Sequence, residues 1–523
     1  MKSLKKYQTK LKLNSSGLAL GFTLSFAVSS AVYAEFPLGQ IPSLQQINDC
    51  QEILSSNPLR KQKPGYYDEN HTSEGKLRPV YAQYLNEVEE LGEAQKVSIE
   101  RAASVRMNGV SIDSHPRILS ESEYQTLKTG VQQRGKAIQK FLQDYYSGKK
   151  SFLTGEPNGF MPPQVLARIV ARTKADTVLG KVDPARISFE YGPDIHHAAD
   201  GNFYSIEDNQ PYPGGMGDLG ATRETFLGLR PDLTDKLPLE STPSQFYADL
   251  VDHARKESVV PKGEIVFIGH PGSRDSMRLG NYLKVHGVKF LDAQNDLSKL
   301  VVRPDGVYLR DHVTGNEARV GYVFVNTLFP YISRSIAEPG LAEAVLDGRV
   351  ASDNTPNLEI IGDKELHGYV DQMSRFYLRE EPLLQSIPSR TLARLDGENL
   401  LDEEFFKKVL EEGRHKEVVF KDVAGMGGKD VFIGPKLTSS EVLSLTSIVR
   451  RNPALYVAQS FWEMSQLEDM IVDQRLHSVV GPRQIVTSPV PISRGSPAKG
   501  DGKVNISGGG RLFAVFIQNR AKQ

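Results

Sequence analysis

Three side chains near the middle of the chain have the types and spacing to hold a hard cation. Phe203-Tyr204-Ser205-Ile206-Glu207-Asp208-Asn209 reads as a short strand that stops at Pro211-Tyr212-Pro213-Gly214-Gly215. Side chains alternate along a strand, so Glu207 and Asn209 share one face and Asp208 takes the other. Two oxygens about 7 Å apart along one edge suit Mg²⁺, which keeps several waters and is completed by substrate phosphates. Asp194 lies thirteen residues before Glu207, beyond the run Ile187-Ser188-Phe189-Glu190-Tyr191. Asp200-Gly201 between them is a hairpin-turn signal, and a hairpin there sets Asp194 alongside Glu207. Taken alone, Glu-x-Asn also reads as an edge hairpin with solvated acids.

A second group of residues suits phosphates. Residues 417–421 read as a strand, Ala424-Gly425-Met426-Gly427-Gly428-Lys429 as a flexible loop, and 431–434 as a returning strand. This is the shape of a β-hairpin flap, whose glycines let backbone N–H groups approach an anion. It is not the phosphate loop that ends in Gly-Lys-Ser/Thr and opens a helix. Nor is it a dinucleotide fingerprint, because the loop feeds a strand. Lys421, at the end of the entering strand, would sit under the flap and reach a phosphate. The competing readings are a plain hairpin and a solvated lysine.

Other elements must position these groups. Helical spacing is present over 81–103, Glu121–Tyr146, 163–177 and 246–255. Within Glu121–Tyr146, Leu127, Val131, Ile138, Phe141, Leu142 and Tyr145 share one face. Residues 263–272 form a buried strand entering a Gly/Pro turn, 277–286 a helix and 288–291 the next strand, which is a β-α-β unit with a right-handed crossover. Strands are expected over 107–118 and 306–326, and helices over Leu341–Leu346 and 370–378. Ser439–Arg451 reads as a helix capped by Ser439 or Ser440. A strand over 455–459 and a last strand over 512–517, after a Gly-rich bend, complete the chain.

The chain has 523 residues, 39% hydrophobic and 24% charged, which is ordinary globular composition with room for two or three domains. A formal net charge of −1 provides no basic field for nucleic acid. The first 34 residues carry a basic head (Lys2, Lys5, Lys6, Lys10, Lys12), an apolar run from Gly17 to Val32, and small residues before Glu35. That is a secretory signal pattern, so the expected location is exported, periplasmic or secreted, with no stable membrane span after cleavage. An uncleaved anchor is the alternative. Cys50 is the single cysteine and makes no internal disulfide.

Several motifs recur together in one family. They are Glu207-Asp208-Asn209 at a strand end, Asp363-Lys364, Tyr377 through Pro382, and Phe420-Lys421 through Gly434. Gln133-Arg134 and Phe141-Leu142-Gln143-Asp144 in the early helix belong to the same set. The chain resembles the circularly permuted ATP-grasp proteins (type 2), relatives of glutathionylspermidine synthetase, from about residue 65 to the end. The metal-binding strand precedes the β-α-β unit, as the permuted order requires. The resemblance implies an α/β (α+β) fold: a permuted ATP-grasp domain, an embedded pre-ATP-grasp β-α-β domain and a helical N-terminal region. The expected divisions are a signal peptide at 1–34, an extended lead-in at 35–75 and a mostly helical region at 76–180. The metal-binding part then spans 181–255, the pre-ATP-grasp-like domain 256–360, and the lysine, flap and hinge part 361–523.

The resemblance also implies roles. Asp194, Glu207 and Asn209 match metal positions. Lys364 and Lys421 match the lysines that hold ATP phosphates, and Gly425, Gly427 and Gly428 match the mobile flap. Residues 456–459 match the hinge strand bordering adenine, with Gln459 as its polar contact. Arg511 matches a basic residue near the transferring phosphate. The implied activity is an ATP- and Mg²⁺-dependent carboxylate–amine ligase that forms an amide through an acylphosphate, acting on small peptide-like or polyamine-like substrates. The chain departs from the family at Gln210-Pro211, where an arginine is usual, at Asp422, where a proline is usual, and at Gln484 to Ser488, where a second acid and arginine are usual. With the export signal, these departures support a competing expectation: an exported, catalytically degenerate protein that binds a nucleotide or peptide. His196-His197 reads as a solvated turn pair, Trp462 as packing, and Glu380-Glu381 as a solvated helix end that could also meet a cationic substrate.

Overall fold

The long helix Glu121–Tyr146 organises the core because six apolar residues on one of its faces are buried together: Leu127, Val131, Ile138, Phe141, Leu142 and Tyr145. Burying each contributes about 1.5–3 kcal/mol. Ser120 starts the helix; its Oγ accepts from Glu123 N, and the Glu123 side chain returns to the cap. The structure is a computed structural model that describes residues 65–82, 91–154, 160–210, 213–327, 340–395, 400–411, 413–425, 428, 430–506 and 509–518. The segment expected as a signal peptide, Cys50, Gly427 and the usual-arginine position at Pro211 lie outside them.

Three sheets matter for the site. An eight-stranded sheet runs Ser111–Ile112, Arg511–Phe513, Ile492–Pro497, Met470–Arg475, Asp194–His197, Phe203–Glu207 and Gln385–Ser386, with Ser465–Leu467 paired to Met470–Arg475. A four-stranded sheet runs Ser389–Thr391, Tyr456–Ser460, Val418–Asp422, Val431–Ile433. A six-stranded sheet holds the β-α-β unit: Glu264–Gly269 and Lys289–Asp292 are parallel, joined by helix Arg274–Val285. Strands from residues 385–518 are shared among the eight-, four-, three- and two-stranded sheets.

Local expectations met tertiary detail at several points. Helix Ser439–Arg451 is capped by Thr438 rather than Ser439 or Ser440, because Thr438 Oγ1 accepts from Glu441 N and Glu441 closes the capping box. The last strand is two, Arg511–Phe513 and Val515–Gln518, which join different sheets. The expected 163–177 helix stops at Thr173, where Lys174 turns left-handed at φ 54° and a 3₁₀ turn follows. Of the helix expected over 81–103, residues 83–90 lie outside the described residues, 81–82 are helical and Glu93–Arg106 is a helix. Among the described residues no helix is long and apolar enough to cross a membrane.

Candidate active site

Strands Asp194–His197 and Phe203–Glu207 form the expected hairpin, closed by Gly201 at φ 83° with Asp200 Oδ1 accepting from Asn202 N at 2.9 Å. A bulge shifts the register between Asp194 and Ile195, and it sets Asp194 opposite Glu207. Asp208 points to the other face and is buried. Arg134 grips it with two bonds of 2.8 Å, Tyr191 Oη donates at 2.6 Å, and His367 Nδ1 lies 2.7 Å away. Burial alone would raise the Asp208 carboxyl, but Arg134 and His367 hold it well below the usual carboxylate range. Asp208 thus fixes the strand end that presents Glu207 and Asn209.

The four-stranded sheet supplies Lys421, and the short helix Lys364–His367 supplies Lys364. Lys421 Nζ and Gln459 Nε2 both donate to the Ile206 carbonyl, at 3.4 and 2.9 Å. The two halves of the site are therefore joined one residue before Glu207. Lys364 Nζ lies 3.8 Å from Glu207 Oε2 and donates to Gly425 O at 2.5 Å. Burial lowers the Lys421 amine from 10.5 to about 8, and neighbouring Lys364 adds to the drop while Glu207 and Asp194 oppose it. Gly425 and Gly428 line the same cleft, and Gly428 needs its left-handed φ of 74°.

Five of the expected metal and phosphate positions thus face one cleft: Asp194, Glu207, Asn209, Lys364 and Lys421. It encloses roughly 1040 Å³, part of it open to solvent, near the upper end of small-molecule sites. One end is polar. The other is walled by Ile206, Ile387, Val419, Ile433 and Trp462. Trp462 packs edge-on against Tyr204 with ring centroids 4.7 Å apart, so it is both packing and cleft wall.

Asp194 has both oxygens engaged: Oδ1 by Arg475 at 2.7 Å and Oδ2 by Arg494 at 3.0 Å. Arg494 also binds Asp473, through a 2.9 Å bond from Nε to Oδ1. These are directly opposed cross-strand pairs, Asp194 facing Arg475 and Asp473 facing Arg494. Gln459 spends its amide on Ile206 O. Arg511 pairs with Gly495, while its neighbour Leu512 pairs with Arg494. Opposed residues share a face, so Arg511 points away from the Arg494 side. Its guanidinium instead meets Glu100 at 2.5 Å and Asp113 at 3.3 Å, and it does not line the cleft. His196 and His197 are buried, not solvated: His197 stacks on Phe203 at 4.2 Å and faces Glu69 at 3.3 Å. Burial lowers His196 to about 3, so it is neutral. Glu381 is exposed, as expected, and pairs with Arg375 at 3.0 Å.

Sequence reasoning missed Arg475, Arg494 and Lys503, all of which line the cleft. The available signal was the alternation Asp473-x-Arg475, which puts both side chains on one face of a strand.

The donor set can be tested against Mg²⁺. Glu207 keeps a partly open carboxylate, and Asn209 Nδ2 is buried with no partner, so that side chain is not committed elsewhere. Both Asp194 oxygens are engaged by guanidinium groups, and among the described residues no three His, Cys, Asp or Glu converge as a chelating group. Glu207 and Asn209 therefore fit a cation completed by phosphate oxygens and water rather than a closed protein cage.

The sequence model of the family described as circularly permuted ATP-grasp type 2 matches residues 116–489. An uncharacterised protein of Synechocystis is 26% identical over 504 residues, covering 89% of this chain and all of that protein. A Frankia alni protein with the provisional name glutamate–cysteine ligase 2-3 is 26% identical over 517 residues; the match covers 92% of this chain and 57% of that longer protein. A solved glutathione synthetase-like effector from Globodera pallida, in its apo form, superposes with a TM-score of 0.51 at 11% identity, over 81% of this chain and 96% of that one. At that identity the likeness bears on the fold.

Proposed function

Because the chain belongs to the circularly permuted ATP-grasp type 2 family, we propose that it is an ATP-dependent carboxylate–amine ligase that forms an amide or peptide-like bond. The observation that carries this reading is the meeting of Glu207 and Asn209 with Lys364 and Lys421 in one cleft. Lys364 and Lys421 would bind the ATP phosphates, and the apolar wall around Ile387 and Trp462 would take the base. Glu207 and Asn209 would hold Mg²⁺, which supplies charge neutralisation at the phosphates. Arg475 and Arg494, braced by Asp194 and Asp473, would keep guanidinium charge near the transferring group.

In the proposed reaction a substrate carboxylate oxygen attacks the γ-phosphorus and ADP leaves, giving an acylphosphate. An amine nitrogen then attacks the acyl carbon. Phosphate leaves with the electron pair of the broken C–O bond, and the amine loses one proton. No protein nucleophile takes part, and positioning and electrostatics provide the rate. The name of the Frankia alni relative motivates amino-acid or thiol-bearing amino-acid substrates as the first to be screened.

The test is ADP release from MgATP by the chain from Glu35 onward, with a panel of paired carboxylates and amines. Stimulation by a specific pair, lost in Glu207→Ala, supports the ligase. Absence of stimulation by every pair, with tight nucleotide binding intact, sinks it. That second outcome is the signature of the other reading, a nucleotide- or peptide-binding protein without turnover. The occupation of Asp194 by two arginines favours it. We also propose export through residues 1–34; N-terminal sequencing of the protein from fractionated cells checks this, with Glu35 as the expected first residue.

A further inference from the structure

A second cavity shares no lining residue with the cleft. It encloses roughly 1470 Å³, part of it open to solvent, and is lined by Ala351, Ser352, Thr355, Glu257 and the Pro482-Arg483 turn. Its lining carries two acids, Asp183 and Glu257, and two arginines, Arg186 and Arg483, and Glu257 is the most shielded of the four. The Glu257 side chain is 9% exposed, and Oε1 has no hydrogen-bond partner. Its Oε2 lies 3.9 Å from Nε of Arg483, whose side chain is 72% exposed, so solvent screens most of that attraction. Glu257 is also the last residue of helix Pro243–Glu257, where the macrodipole already presents partial negative charge.

Further acids lie in the protein interior, outside the cavity lining. Glu190 and Asp353 face each other as a buried pair, and each has one oxygen without a partner. Tyr322 is 1% exposed and within electrostatic reach of Glu257, Glu190 and Asp353, and its hydroxyl has no partner either. Unpartnered buried acceptors are costly, by about 1–3 kcal/mol each, until a donor reaches them. Among the described residues no three such acids converge closely enough to chelate a metal. An ammonium group has three donors and a full positive charge, which answers both needs.

We propose that this cavity is a second ligand site, taking a small molecule whose primary ammonium group binds Glu257. Two sources share that chemistry. A plain alkylamine would use the inner end alone. An amino acid would also set its carboxylate toward Arg186 and Arg483 at the cavity wall. The site does not depend on the ligase reading, since none of its residues faces the nucleotide cleft.

Calorimetric titration of the full chain at neutral pH with n-butylamine, γ-aminobutyrate and n-butanol tests it. Saturable binding of one or both amines is expected, with none from n-butanol. Tighter γ-aminobutyrate identifies an amino acid, and tighter n-butylamine a free amine. Glu257→Gln should weaken the amine about tenfold or more, the loss of one charge-assisted contact. Arg483→Ala, which removes an exposed cation 3.9 Å from Glu257 Oε2, should tighten n-butylamine about threefold and decides the matter where Glu257→Gln does not fold. Equal binding of n-butanol, unchanged amine affinity in the folded variants, or no saturable heat from either amine overturns the proposal.

Discussion

Lys421 is where function and stability pull in opposite directions, and Lys421→Met separates them. The amine is buried, and its pKa falls from 10.5 to about 8 with burial as the leading cause. That depression corresponds to about 3 kcal/mol of unfavourable charge burial. The folded pKa lies below the unfolded one, so the cost is full below pH 8 and fades as pH rises toward 10.5. Methionine keeps the length of the side chain and removes the charge. At neutral pH Lys421→Met should therefore unfold later, by about 1–3 kcal/mol, with the 3.4 Å contact to Ile206 O as the main loss. The gain should shrink as pH approaches 10. The same substitution should weaken MgATP about tenfold to hundredfold, because a charge-assisted phosphate contact is worth about 1.5–3 kcal/mol. Urea melts at pH 7 and pH 10, with calorimetric titration of MgATP, read both effects. A variant that is less stable than the parent at pH 7, or one that binds MgATP as tightly, refutes the reasoning.

Three further outcomes follow from the same geometry. Arg134→Met should cost about 3–5 kcal/mol in a denaturant melt, because it strands the buried Asp208 carboxylate, and adding Asp208→Asn should recover part of the loss. Gly217→Ala should lower stability by about 1–3 kcal/mol, since the new methyl would collide with the Asp275 backbone and stand 2.5 Å from Leu279 N where helices Met216–Leu229 and Arg274–Val285 touch. Arg511→Ala should leave MgATP affinity within about twofold of the parent, because its partners are Glu100 and Asp113 rather than anything in the cleft; a large loss of affinity would restore it to the nucleotide site.

Much of the site was legible because its signals are local. Strand alternation divides Glu207 and Asn209 from Asp208, and Asp200-Gly201 marks the turn that brings Asp194 back. The flap strands followed from two apolar runs around a glycine loop, and strand Val418–Asp422 does pair with Val431–Ile433. The arginines were not legible. Strand Ile492–Pro497 contains Gly495 and ends on Pro497, residues that read as turn rather than strand, and the arginines' partners are far away in sequence, with Arg475 and Asp194 separated by 281 positions. Burial of His196-His197 was hidden for the same reason. His197 is covered by Tyr67 and Glu69 from the start of the described chain, and His196 lies by Trp462, far on in the sequence.

By itself the sequence determined the long amphipathic helix, the hairpin that presents Asp194 and Glu207, and the glycine flap, because each is set by periodicities and turn residues within a few positions of one another. The tertiary structure alone decided that Asp194 is held by Arg475 and Arg494, that Arg511 faces away from the cleft, and that Lys421 is buried enough to lose part of its basicity. Those properties depend on register between distant strands, where one step moves a side chain to the opposite face, and on desolvation, which no single segment carries.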